Sequence, residues 1–172
     1  CLVGSEMCIR DSFLPSGSTY TGIDMVDNLI ETGHKLFASA GLQGEFIHTD
    51  VYDYSEEENF DVVICQAVLR HLDSPESFLK KMIGFAKPGA YIICIDSNRE
   101  FECDGLYIDG MDYFRLCEHE GMDKHWRAEL EQQGRDYAAA IRNAHMMRKL
   151  GLREVDVRMN DRVDFVTCLL YT

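Results

Sequence analysis

The chain has 172 residues, with 17 Lys and Arg against 30 Asp and Glu, a formal net charge of −13 and seven cysteines. That length is one domain with room for a sizeable core, and so acidic a balance repels the phosphate backbone, which argues against nucleic acid held through a basic face. No uninterrupted apolar run approaches the roughly 20 residues that span a bilayer, and no cysteine pair has metal-ligand spacing.

The two ends read differently from the rest. Met7-Cys8-Ile9-Arg10-Asp11 back-translates to ATG TGT ATA AGA GAC, which resembles the transposon mosaic end used in DNA library preparation. Cys168-Leu169-Leu170-Tyr171-Thr172 fits the same element on the opposite strand. Residues 1–12 and 168–172 are therefore expected to be adapter-like, and residues 13–167 to be one native domain carrying −12. Cys65, Cys94, Cys103 and Cys117 remain in that span. Cys65 and Cys94 lie inside apolar strand-like runs, where a free thiol behaves as a small hydrophobe, and the reducing cytoplasm is the compartment that suits them.

Pro15-Ser16-Gly17 is a turn, and residues 19–23 form the first strand, ending at the carboxylate of Asp24. Val26, Leu29, Ile30, Leu36, Phe37 and Ala40 keep helical spacing until Gly41 stops them. Phe46-Ile47-His48-Thr49 is a second short strand with Asp50-Val51 at its tip. Phe60-Asp61-Val62-Val63-Ile64-Cys65 is nearly continuous and β-branched, as strands covered on both faces of a parallel sheet are. A helix follows, with Ser74 as cap, Pro75 at its first position and Phe78, Leu79, Met82, Ile83 and Ala86 as its stripe.

Lys87-Pro88-Gly89 turns the chain into a strand over residues 90–95, with Asp96 at its tip. From Arg99 to Trp126 the periodicity fails, and the segment is read as an irregular acidic and aromatic cap. Tyr137, Ala140, Ile141, Ala144 and Met147 form a last helical stripe. Val155 and Val157, then Val163, Phe165 and Thr167, alternate as a closing antiparallel hairpin.

Acidic residues at strand tips stand where open parallel sheets bind nucleotides. In order, the strand to Asp24, the strand to Asp50, Phe60-Asp61-Val62-Val63 running into Val68-Leu69-Arg70-His71-Leu72-Asp73, the Lys87-Pro88-Gly89 turn and the final hairpin resemble the class I S-adenosylmethionine-dependent methyltransferases, in particular the type 11 and 25 domains. The resemblance implies an α/β fold with a Rossmann-like, mostly parallel sheet and a C-terminal antiparallel hairpin. It implies that Asp24 accepts the ribose hydroxyls of S-adenosylmethionine and Met25 packs on the adenine. Asp50 would accept the adenine amino group, the Val51 N–H would face the ring, and Gln66 and Ala67 would lie beside the methionine half. The family's first strand and glycine-rich loop are missing, with adapter-like residues in their place. The chain as written is therefore expected to bind the cofactor poorly and to be unstable.

Methyl transfer to a small molecule is mainly a matter of alignment and water exclusion. A general base is needed only for a hydroxyl or a protonated amine, and the nearest candidates are His71 and Asp96, with His119 and His125 in the cap. No catalytic residue is assigned, no metal is expected, and the oligomeric state stays open. Two rival readings exist: a nicotinamide-dependent oxidoreductase, which accounts for Asp24 but not Asp50, and a catalytically silent relative acting as a binding protein.

Overall fold

A computed structural model describes residues 17–96, 120–136 and 139–158. Strand β1 (Thr21–Asp24) pairs in parallel with β2 (Glu45–His48), in a register that sets Thr21 opposite Glu45 and Asp24 opposite His48. Strand β3 (Phe60–Gln66) pairs in parallel with β4 (Ala86–Ile95), from Val62 opposite Tyr91 to Gln66 opposite Ile95. Among the described residues these are two separate two-stranded sheets. A cavity of about 70 Å³ lies between them, with Thr21 and Ile23 of β1 and Val62 and Ile64 of β3 in its wall.

Helix α1 (Asp27–Ala40) ends on Gly41 at φ +69°, a left-handed closure that only glycine adopts without strain. It buries Ile30, Gly33 and Phe37. The docking is specific because the Phe46 ring of β2 rests on two glycines. A Cβ on Gly33 would lie 2.5 Å from that ring, and one on Gly22 would lie 2.8 Å from it. Phe37, Tyr20 and His34 surround the ring at centroid distances of 4.9, 5.5 and 5.0 Å. This aromatic cluster holds α1 on the β1–β2 pair and so fixes where both strand tips stand.

The larger core lies on β3 and β4. Helix α2 (Pro75–Phe85) buries Phe78, Leu79, Met82 and Phe85, and Leu79 and Leu69 have no exposed surface at all. Each such leucine contributes roughly 1.5–3 kcal/mol through burial. Cys65 joins the same cluster from β3, and Met147 joins it from a helix further along the chain. Ser74 caps α2 without a bond to its backbone; its hydroxyl instead pairs with that of Ser77 at 2.7 Å. Lys87-Pro88-Gly89 is not a separate turn before β4 but a bulge inside it. Two steps along β3, from Phe60 to Val62, face five along β4, and Gly89 takes φ +85° to allow this. Lys87 Nζ donates to both carboxylate oxygens of Asp61, at 3.0 and 2.9 Å, and pins the bulge.

Three expectations need correction or fall elsewhere. The irregular segment does not reach Trp126, because helix α3 (Glu120–Gln133) already contains it, with Trp126 buried; residues 97–119 lie outside the described residues. The Glu, Lys, Arg, Ala, Leu and Gln of this stretch are strong helix formers, which outweigh Gly121 near the start. Helix α4 (Ala139–Lys149) does not bury Ile141, which is 54% exposed. Its inward residues are Ala139, Asn143 and Met147, at four-residue spacing. Residues 155–158 run without strand pairing, Val155 packing on the core, and the rest of the expected hairpin lies outside the described residues.

Candidate functional site

At the end of β1 the Asp24 carboxylate accepts the Val26 N–H at 2.8 Å, closing the turn that opens α1. Met25 lies in that turn with 65% of its surface exposed. The segment after β2 is stitched to it. Thr49 N–H donates to the Asp24 carbonyl at 3.1 Å, and His48 Nε2 donates to the Met25 carbonyl at 2.8 Å. Asp50 Oδ1 accepts the Tyr52 N–H at 2.9 Å, while the Asp50 carbonyl accepts the Asp53 N–H at 3.0 Å. Asp24, Met25, Asp50 and Val51 therefore stand on two neighbouring strand ends. His48, which no sequence pattern singled out, holds the Met25 loop in place.

Gln66 and Ala67 occupy the end of β3, with Gln66 opposite Ile95 and the Ala67 N–H donating to the Ile95 carbonyl at 2.7 Å. Ala67 has φ +53°, a left-handed conformation that costs a residue with a Cβ about 1–2 kcal/mol. Such strain persists only where surrounding structure imposes it, and it clusters at ligand sites. Here the short bond to β4 and the 3₁₀ turn Leu69–His71, with Leu69 fully buried, impose it.

Asp96 follows β4. Its Oδ2 accepts a hydrogen bond from Asn143 Nδ2 of α4 at 3.2 Å. Burial pushes the Asp96 carboxyl up to about 6, against the opposing pull of the Asn143 bond and the Arg70 charge. Asn143 lies 47 positions away and was not legible as a partner, although a polar residue midway between Ala139 and Met147 is a signal at helical spacing. Of the histidines considered as bases, His71 is held below its ordinary value by burial and then by the charges of Arg70 and Arg135. Its Nε2 accepts the Arg70 Nε–H at 3.0 Å, which requires a neutral ring nitrogen. His125 points outward from α3, and His119 lies outside the described residues.

Parallel strands joined through helices, with carboxylates at the strand ends, define a Rossmann-like α/β protein. The chain belongs to the methyltransferase domain family, whose sequence model matches residues 4–94, and within it to the class I S-adenosylmethionine-dependent branch. It is 27% identical over 111 residues to a ubiquinone biosynthesis O-methyltransferase of Actinobacillus pleuropneumoniae serotype 5b (strain L20), covering 61% of this chain and 47% of the relative. It is 25% identical over 155 residues to the protein of that name from Burkholderia thailandensis, covering 87% of this chain and 62% of that one. The chain thus spans about half the length of the curated relatives it matches. A crystal structure of a Bacillus halodurans C-125 protein assigned to the methyltransferases superposes with a TM-score of 0.53 at 17% identity, over 78% of this chain and 53% of that one, which shows a shared fold.

Proposed function

We propose that the protein transfers a methyl group from S-adenosylmethionine to a hydroxyl of a small molecule. The observation that carries this is the β1–β2 register, which stands Asp24 and Asp50 on adjacent strand ends with an uncovered Met25 side chain at the turn. In this reading Asp24 faces the ribose diol, Met25 packs against the adenine face, Asp50 accepts from the adenine amino group and the Val51 N–H faces the ring. Gln66 and Ala67 hold the methionine half, the backbone of Ala67 being fixed by its bond to Ile95. When bound, the sulfonium supplies an electrophilic methyl group. The protein's part is to hold donor and acceptor in line and keep water out. The choice of oxygen as acceptor atom is supported by the names of the matched relatives, which are O-methyltransferases. Free Cys65 and Cys94, with Sγ atoms 3.5 Å apart, suit a reducing, cytoplasmic setting. Among the described residues no helix is long and apolar enough to cross a membrane.

The test is transfer of labelled methyl from S-adenosylmethionine to a panel of small hydroxylated acceptors by the complete gene product. Label appearing in an ether product supports the reading. Tight binding of a nicotinamide dinucleotide that displaces S-adenosylmethionine, with no transfer, would overturn it.

A further inference from the structure

Among the described residues, Asp96 Oδ1 and Asn143 Oδ1 are buried oxygens with no hydrogen-bond donor, on side chains already joined to each other. A buried acceptor without a donor is costly, so such atoms call for a partner. Asn143 is only 7% exposed, in the middle of a face whose other inward residues are Ala139 and Met147. An apolar residue there would pack without leaving an oxygen unmet. Asp96 stands at the carboxyl end of a parallel strand, the side on which open α/β sheets bind ligands.

We propose that the Asp96–Asn143 pair receives the methyl acceptor, the two unmet oxygens accepting hydrogen bonds from a hydroxyl-bearing substrate and Asp96 taking the proton of the hydroxyl that is methylated. This rests on the methyl-transfer reading above. The O–H bond breaks, its proton goes to the Asp96 carboxylate, and its electron pair stays on the acceptor oxygen. That oxygen bonds to the methyl carbon of the sulfonium donor, and the carbon–sulfur pair returns to sulfur. One negative and one positive charge vanish together, which a buried, weakly polar setting favours. The groups facing Asp96 fit this task. Arg70 and Asn143 favour the ionised carboxylate, while burial makes it a stronger base than an exposed one.

The probe is catechol, with 2-methoxyphenol and 1,2-dimethoxybenzene as the same ring with one and no hydroxyl donors. Kd is read by ligand-observed NMR on the complete gene product, and S-adenosylmethionine affinity is read in the same samples. Catechol is expected to bind at least tenfold more tightly than 1,2-dimethoxybenzene. Asp96→Asn, which replaces one acceptor oxygen by an amide donor, is expected to abolish that preference while leaving S-adenosylmethionine affinity unchanged. Asn143→Ala, with one oxygen fewer, is expected to bind catechol no better than 2-methoxyphenol. Equal affinity for all three probes, or an undiminished catechol preference in both variants, overturns the proposal and leaves a structural water as the partner of these atoms. If catechol behaves as expected while S-adenosylmethionine fails to bind the wild-type protein, the hydroxyl site stands and the methyl-transfer reading falls.

Discussion

At Asp96, stability and chemistry ask for opposite things. The folded protein raises this carboxyl from the ordinary range to about 6, so between those values the native state keeps a proton that the unfolded chain has lost. Native stability therefore declines as pH rises through that window, and the full cost is present above it. Asp96→Asn removes the cost and gives Asn143 Oδ1 a donor. The variant is expected to melt about 2–8 °C higher than wild type at pH 8, a gain of about 1–2 kcal/mol after discounting for solvent screening. The difference should shrink toward zero at pH 4, where the wild-type carboxyl is protonated. A gain that is the same at both pH values would contradict the burial argument. Asp96 itself was legible in the sequence as the residue at a strand tip. Its partner was not, because Asn143 interrupts an apolar pattern that Ala140, Ile141 and Ala144 made look continuous one position away.

At the scale of elements, the seat of α1 on β1 and β2 depends on the absence of side chains. Gly33→Ala improves helix propensity by about 1 kcal/mol. The added Cβ meets the Phe46 ring at 2.5 Å, however, and that ring is boxed by Phe37, Tyr20 and His34 and has nowhere to go. Overpacking of this kind costs about 1–3 kcal/mol, so the net effect is a loss. Urea denaturation of Gly33→Ala should show a lowered midpoint, and combining it with Phe46→Leu should recover part of the loss; an unchanged or raised midpoint would refute the packing account. Strand positions were legible because β-branched runs end in acidic residues, and α2 because Ser74 and Pro75 announce it. Glycine carries no apolar signal, so Gly22 and Gly33 could not be seen as the floor under Phe46. The helix at Glu120–Gln133 was hidden by the glycines and aromatics that precede it.

For the whole molecule, order along the chain and direction in the sheet together create the site. The β1–α1–β2 crossover points its two parallel strands the same way, so residues 26 positions apart in sequence, Asp24 and Asp50, stand on neighbouring strand ends. Among the described residues no ladder joins β1 to β3, and an apolar cavity separates them. The two halves of the candidate site, Asp24 with Asp50 and Gln66 with Ala67, are carried by these two sheets. The first pair is proposed to grip one adenosyl group. Calorimetric titration of S-adenosylmethionine into the complete gene product, wild type against Asp24→Asn and Asp50→Ala, tests it. Asp24→Asn keeps an oxygen for the Val26 N–H and loses the charge, so the turn survives while charge-assisted bonds of about 1.5–3 kcal/mol are lost. The predicted result is a Kd raised about 10- to 100-fold by Asp24→Asn and also raised by Asp50→Ala; an unchanged Kd in both variants would contradict the account.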